Sequence, residues 1–131
     1  MIVVDSNIVA YLYLPTAHTE RAESLLGHDS DWAAPILWRS EFRNILTGYL
    51  RRKLLSLDHV VEIQREAESL LFGAEYEIES ERVLALARDS TCSAYDCEFV
   101  ALAMKLNSRL VTMDSALLRA FPNCTEPLPT S

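Results

Sequence analysis

The sequence predicts an α/β fold in which a parallel sheet is flanked by helices. Short apolar runs such as Ile2–Val4 alternate with longer segments of helical periodicity. A continuous, β-branched apolar run is typical of a strand buried on both faces, as in a parallel sheet. At 131 residues, the chain has room for one domain, which we assign to residues 1–131.

The helices are placed by apolar periodicity and by residues that start or stop a helix. We predict helices over 8–14, 19–26, 36–53, 59–72 and 94–106, a helix that runs from a cap at Ser80 to about Asp89, and a short last helix from Asp114 or Ser115 to Pro122. Asp58, Ser80 and Ser93 are expected N-caps, because their side chains accept bonds from the first free amides. Pro35 is expected in the first turn of the long third helix, where proline is tolerated.

The strands fall between these helices. The sequence predicts them over 2–4, 32–34, 76–78 and 109–112, with one more edge strand near Cys124. Strands that alternate with helices indicate a parallel sheet. Pro127 and Pro129 predict a loose tail after the last strand.

Composition excludes several classes of protein. With 50% hydrophobic and 24% charged residues, the chain has an ordinary globular composition. No apolar run approaches the about 20 residues that span a bilayer, so we expect no membrane partner. The first residues, Met1–Asp5, carry an acid and no basic stretch, which is not typical of a signal peptide.

Three cysteines, Cys92, Cys97 and Cys124, fit neither the spacing of a redox pair nor that of a zinc ribbon. We expect them to be reduced structural thiols, which indicates a cytoplasmic protein.

Charge is distributed unevenly along the chain. The net charge of −7 disfavours a protein that binds nucleic acid through bulk charge. Residues 36–57 nevertheless carry a net +4, and residues 58–81 carry a net −7. The basic segment contains Arg39, Arg43, Arg51, Arg52 and Lys53. These cations are interpreted either as a solvated helix surface or as contacts for phosphate groups.

Two acids directly follow predicted strands. Asp5 follows the first strand, and Asp114 follows the strand near Val111. In parallel α/β sheets, ligands bind beyond the carboxyl ends of the strands, so both carboxylates are expected at the binding edge. Each of them alone is also explained as a helix N-cap.

Glu41 is unusual because it lies one turn from Leu37 and from Ile45, on the apolar side of its helix. An unpaired carboxylate is costly there, and pairing with Arg39, with Arg43 or with a donor from another strand is one explanation.

Asp96 lies three residues after Ser93, in the first turn of its helix, where capping and the helix dipole favour acids. The face of the helix that continues from it is apolar, so Asp96 is expected to point toward the sheet edge.

Four carboxylates at one sheet edge repel each other, and a divalent cation relieves that repulsion. Mg²⁺ is held by a few carboxylates and keeps waters that a phosphate displaces. Asp and Glu without His or Cys favour Mg²⁺ or Mn²⁺ over zinc. Such an ion activates water and neutralises charge on a phosphodiester. Ser6, Asn7 and Thr112 add neutral polar groups beside these acids.

These motifs resemble the PIN-domain family, and their order and the chain length are similar to VapC-like toxins. The resemblance covers essentially the whole chain and rests on Asp5-Ser6-Asn7, Ser40-Glu41, Tyr95-Asp96-x-x-Phe99-Val100-Ala101-Leu102-Ala103 and Leu110-Val111-Thr112-Met113-Asp114. The chain departs from the family in having Ser6 where threonine is more usual, which keeps the hydroxyl group.

The resemblance implies a PIN-like three-layer fold with roughly five parallel strands. It also implies an endoribonuclease that uses one or two Mg²⁺ or Mn²⁺ ions. The implied metal ligands and catalytic residues are Asp5, Glu41, Asp96 and Asp114, with Asn7 in support of Asp5. A metal-bound water would attack the scissile phosphorus in line and leave a 5′-phosphate.

The resemblance further implies an RNA substrate, a homodimer and an antitoxin partner of the VapB type. Arg39 and Arg43 are expected to contact the RNA. The apolar residues 11–14 are interpreted either as a partner surface or as core.

Two other functions remain open from the sequence. One is a PIN nuclease that processes RNA without an antitoxin. The other is a non-catalytic module that binds metal or RNA, such as a receiver-like domain. A receiver carries a lysine after its last strand, and the only lysines here, Lys53 and Lys105, do not lie there.

Overall fold

A computed structural model describes residues 1–130, in which five short strands alternate with seven helices. The strands are β1 (Ile2–Val4), β2 (Trp32–Pro35), β3 (Glu75–Tyr76), β4 (Leu110–Val111) and β5 (Thr125–Glu126). The helices are α1 (Ser6–Tyr13), α2 (Thr19–His28), α3 (Trp38–Arg51), α4 (Leu57–Leu70), α5 (Ser80–Arg88), α6 (Ala94–Lys105) and α7 (Ser115–Ala120).

The five strands form one parallel sheet in the order β3-β2-β1-β4-β5. β1 is central, and its Val3 is in register with Ala33 of β2 and Leu110 of β4. The residues that follow β1 and β4 therefore leave the sheet at the same edge. The predicted α/β fold with a five-stranded parallel sheet is confirmed.

The helices pack in two groups. α6 lies across β1, β2 and β4, and α5 packs on α6. α1 contacts α2, α3 and α4, which form the second group. Val3, Val4, Trp32 and Phe99 are among the fully buried side chains of the core between them. Within residues 1–130, no helix combines the length and the apolar character needed to cross a membrane.

The start of α3 differs from the prediction. Pro35 ends β2, and the helix begins at Trp38. The nitrogen of Pro35 faces β1, because the amides of Ala34 and Ile36 both donate toward β3, and the β1–β2 ladder ends at Ala33, before the proline. On the other side, the bond to β3 is made by the Ile36 amide, which donates to the Tyr76 carbonyl at 2.9 Å.

Two of the three predicted N-caps are wrong. Ser56 caps α4, because its hydroxyl accepts from the His59 amide at 3.2 Å, and Asp58 lies inside the first turn. α5 begins with Ser80 itself, after Glu79, whose side chain makes no capping bond. The predicted cap at Ser93 is confirmed.

The tail is not loose as far as Pro129. Leu128 is buried, and the guanidinium of Arg21 donates to the carbonyls of Leu128 and Pro129. The apolar segment 11–14 packs against the core, with Leu14 buried, which favours the core interpretation. All three cysteines are free thiols, and only Cys124 is not buried.

Candidate active site

A cavity of about 410 Å³ opens where β1 and β4 end. The four acids that the sequence singled out all line it, together with Ser6, Asn7, Leu37, Ser40, Asn44, Ile45, Tyr95, Phe99 and Leu117. The parallel sheet thus brings together the residues that follow β1 and β4 and side chains of α1, α3, α6 and α7.

Asp5 is held by the turn from β1 into α1. Its Oδ1 accepts from the Ile8 amide at 3.0 Å, which caps α1, and its Oδ2 accepts from the Thr112 hydroxyl. Burial raises the pKa of Asp5 to about 6, and the charge of Glu41 adds to the effect. The two hydrogen bonds lower the pKa but do not offset the burial.

Glu41 faces the cavity from the first turn of α3. Its Oε1 accepts from the Ser6 hydroxyl at 2.7 Å, so its partner comes from α1 and is neither Arg39 nor Arg43. Burial raises the pKa of Glu41, and the charge of Asp96 raises it further. The carboxylate is therefore hydrogen-bonded but not neutralised by a cation.

Asp96 and Asp114 complete the cavity wall. The Asp96 amide donates to Ser93 at 3.1 Å, and the pKa of Asp96 is raised by burial and then by the charge of Asp114. Asp114 caps α7 through its Oδ1, which accepts from the amides of Ala116 at 2.8 Å and Leu117 at 3.1 Å. The sequence reading of Asp114 as an N-cap is correct, and this role leaves Asp114 exposed beside the cavity.

Thr112 links two of the acids. Its buried hydroxyl donates to Asp5 and accepts from the Asp114 amide at 3.1 Å. The three predicted supporting residues, Ser6, Asn7 and Thr112, therefore do not all have the same role. Thr112 and Ser6 bind carboxylates directly, and Asn7 lines the cavity with an exposed side chain.

The electrostatics of the cavity are those of crowded like charges. The pKa of Asp5 responds to Glu41, that of Glu41 to Asp96 and that of Asp96 to Asp114. Within the described part of the chain, no cation contributes to any of these three shifts. A positive ligand would lower all of these pKa values together.

The donor set fits a hard divalent cation. Among residues 1–130, no three His, Cys, Asp or Glu side chains are arranged to hold a metal ion together. Mg²⁺ does not require such a cage, because it keeps several waters and binds through one or two carboxylates. Acidic oxygens spread over the walls of one cavity therefore fit Mg²⁺ or Mn²⁺ better than zinc.

The structure does not bring the two predicted substrate-binding arginines to this cavity. Arg39 binds Glu75 and Glu68 on the other side of α3, and its contact with RNA stays a prediction. Arg43 is exposed and lines a separate cavity between α3 and α4, so its contact with RNA stays a prediction.

Sequence reasoning missed several side chains around the cavity. Ser40 and Asn44 flank Glu41 on α3, and Tyr95, which is 63% exposed, precedes Asp96. The sequence feature that could have identified them is their position close to Glu41 or Asp96 on the same predicted helix. Glu98 is half-buried on α6, and its pKa is raised by burial and by Glu41. No sequence pattern marked it.

Known proteins match the chain along nearly its whole length. Ribonuclease VapC3 from Pyrobaculum aerophilum is 30% identical over 129 residues, which cover 96% of this chain and 98% of that protein. A second protein from Pyrobaculum aerophilum, known from a crystal structure, superposes with a TM-score of 0.71 at 21% identity, covering 97% of this chain and 90% of that chain. The Klebsiella pneumoniae toxin-antitoxin complex contains a chain that superposes with a TM-score of 0.69 at 17% identity, and 96% of each chain is covered.

The two superpositions show a shared fold. The family model of the PIN domain matches residues 2–121, which include all four cavity acids. The chain belongs to the PIN-domain family.

Proposed function

We propose that this protein is an Mg²⁺- or Mn²⁺-dependent endoribonuclease and the toxin of a type II toxin-antitoxin pair. The observation that carries the proposal is one cavity lined by four carboxylates, in which burial and a neighbouring acid raise the pKa values of Asp5, Glu41 and Asp96. The relative at 30% identity is named a ribonuclease, which supports the same activity here.

Asp5, Glu41, Asp96 and Asp114 would hold one or two ions, directly or through water. A bound ion supplies a more acidic water and positive charge for a phosphodiester that becomes more negative as it is cleaved. The fold supplies the positions of these oxygens, because each acid lies at the end of a strand or in the first turn of a helix.

The neighbouring residues orient the acids. Thr112 holds one oxygen of Asp5, while the Ile8 amide holds the other. Ser6 holds Glu41 from the adjacent helix. Asn7, exposed at the same cavity, presents an amide that is able to donate to an RNA phosphate.

Protonation links the cavity to ion binding. With a pKa of about 6, Asp5 keeps a proton at mildly acidic pH in the metal-free protein. Ion binding requires the carboxylate, so it releases that proton and weakens as the pH falls.

The proposed partners follow from the same relatives. One solved relative is part of a toxin-antitoxin complex, and we propose a VapB-like antitoxin for this chain as well. A homodimer and a cytoplasmic location belong to the same proposal.

The test is cleavage of a mixture of single-stranded and structured RNA by purified protein with Mg²⁺, with Mn²⁺ and with EDTA. We expect cleavage with either metal, none with EDTA and none by Asp96→Asn. Wild-type turnover by Asp96→Asn, or equal cleavage with EDTA, would contradict the proposed site.

A further inference from the structure

Glu75 lies outside the cavity, and its carboxylate binds side chains at the start of α3, the helix that carries Glu41. Its Oε2 accepts from the Trp38 indole at 2.8 Å and from Nε of Arg39 at 2.6 Å, and its Oε1 accepts from Nη2 of Arg39 at 2.7 Å. The Glu75 side chain is only 11% exposed, and the pKa of its carboxyl is lowered chiefly by Arg39. A two-point bond between a guanidinium and a carboxylate fixes direction as well as distance.

The same arginine extends the contact to α4. Nη1 of Arg39 lies 3.2 Å from Glu68, and Gln64 donates to Glu68 at 2.9 Å. The first turn of α3 is therefore attached to β3 on one side and to α4 on the other.

The start of α3 is not capped by a side chain. Leu37 occupies the N-cap position, where it makes no capping hydrogen bond. Only two residues connect β2 to α3, and buried Trp38 packs on Phe42 with ring centroids 5.7 Å apart. The amides of Arg39 and Ser40 donate to the carbonyls of Ile36 and Leu37, so backbone turns satisfy them. The bonds from the Trp38 and Arg39 side chains to Glu75 instead attach this turn to β3.

Arg39 and Glu41 project from nearly opposite sides of this turn, because two residues rotate about 200° around an α-helix. Glu75 binds the outer side, and Ser6 binds Glu41 on the cavity side. A tilt or rotation of the first turn would move the Glu41 carboxylate relative to the other acids.

We infer that Glu75 is a positioning residue for the acidic cavity. Its bonds to Trp38 and Arg39 set the place of Glu41, and thereby the affinity of the cavity for a divalent cation. This inference rests on the proposed metal-dependent nuclease function.

The test compares two glutamates that occupy edge strands and pair with arginines. Glu75 lies on β3, and Glu126 lies on β5, where its Oε2 is 3.0 Å from Nε of Arg109. Glu75→Gln and Glu126→Gln each remove one charge from such a pair, but only the first touches α3. Calorimetric titration with Mn²⁺ alone measures affinity, and cleavage at fixed Mn²⁺ gives kcat and KM for RNA.

We expect Glu75→Gln to weaken Mn²⁺ binding by about tenfold and to lower kcat, as is typical when residues that orient metal ligands are changed. The KM for RNA should change by less than about twofold. Glu126→Gln should match the wild type in all three quantities. Equal Mn²⁺ affinity for the two variants would overturn the positioning role, whatever their melting temperatures.

A second variant keeps the test decisive if Glu75→Gln does not fold. Arg39→Lys retains the charge but loses the planar, two-point donor. It should weaken Mn²⁺ binding by about threefold, and wild-type affinity would overturn the inference. A wild-type protein that neither binds Mn²⁺ nor cleaves RNA would instead reject the proposed function itself.

Discussion

At the scale of single residues, the pKa of Asp5 shows whether burial or hydrogen bonding has the larger effect on a carboxylate in this cavity. Hydrogen bonds from Thr112 and Ile8 favour its charged form, but burial among other acids raises its pKa from 3.8 to about 6. A shift of this size corresponds to about 3 kcal/mol at 1.36 kcal/mol per pKa unit. Without a bound cation, the charged form of Asp5 therefore lowers the free energy of unfolding.

Replacing Asp5 should stabilise the metal-free protein at neutral and alkaline pH. The folded pKa of about 6 lies above the unfolded value, so the folded state binds more protons between about pH 4 and pH 6. Stability of the wild type should fall as the pH rises through that window, and the cost persists above it. In EDTA at pH 8, Asp5→Asn should raise the melting temperature by up to about 10 °C. Near pH 4 the two proteins should melt alike.

The control for this prediction is Glu77→Gln, which neutralises an exposed acid outside the cavity. It removes the same charge and should leave the melting temperature within about 2 °C of wild type at both pH values. If Asp5→Asn melts no higher than Glu77→Gln at pH 8, the charged Asp5 does not destabilise the fold as its raised pKa implies.

At the scale of elements, the beginnings of helices place the site. α6 and α4 both start after a serine whose hydroxyl accepts a hydrogen bond from a backbone amide. Ser93 accepts from the Asp96 amide, and Ser56 accepts from the His59 amide. Ser93→Ala and Ser56→Ala should each lower the free energy of unfolding by about 1 kcal/mol. Only Ser93→Ala should also weaken Mg²⁺-dependent cleavage, because only that cap orients a cavity acid. Equal cleavage by the two variants would show that the first turn of α6 does not need its cap to position Asp96.

Whether an element could be predicted from the sequence depends on whether its signals are local. β1, β4 and α6 carry local signals, namely apolar runs and a serine before a helix, and the structure has them close to where they were expected. The start of α3 depends on non-local contacts. Trp38 and Arg39 bind Glu75, 36 or more residues away, and no local pattern reports such a pairing. The basic and acidic segments were visible in the sequence, but the ion pairs between them were not.

At the scale of the whole molecule, the parallel sheet explains why four acids far apart in sequence could be predicted to meet. Strands that run in the same direction deliver the residues after them to one edge, so Asp5 and Asp114 had to be neighbours. The roles of Ser6 and Thr112 as hydrogen-bond donors to specific carboxylates could not be derived in the same way. They depend on side-chain distances that only the folded chain defines.

A divalent ion should reverse the order of stability between the wild type and Asp5→Asn. Saturation at 100 times the dissociation constant stabilises a protein by about 2.7 kcal/mol, which is close to the cost assigned to the charged Asp5. In EDTA at pH 8 the variant should melt higher, whereas in saturating Mg²⁺ the wild type should gain about 10 °C and reach or overtake it. The gain should shrink toward pH 5, because protons then compete for Asp5. Thermal melts with and without Mg²⁺ at the two pH values measure this. Equal Mg²⁺-induced shifts in the wild type, Asp5→Asn and Asp114→Asn would rule out an ion bound by these carboxylates.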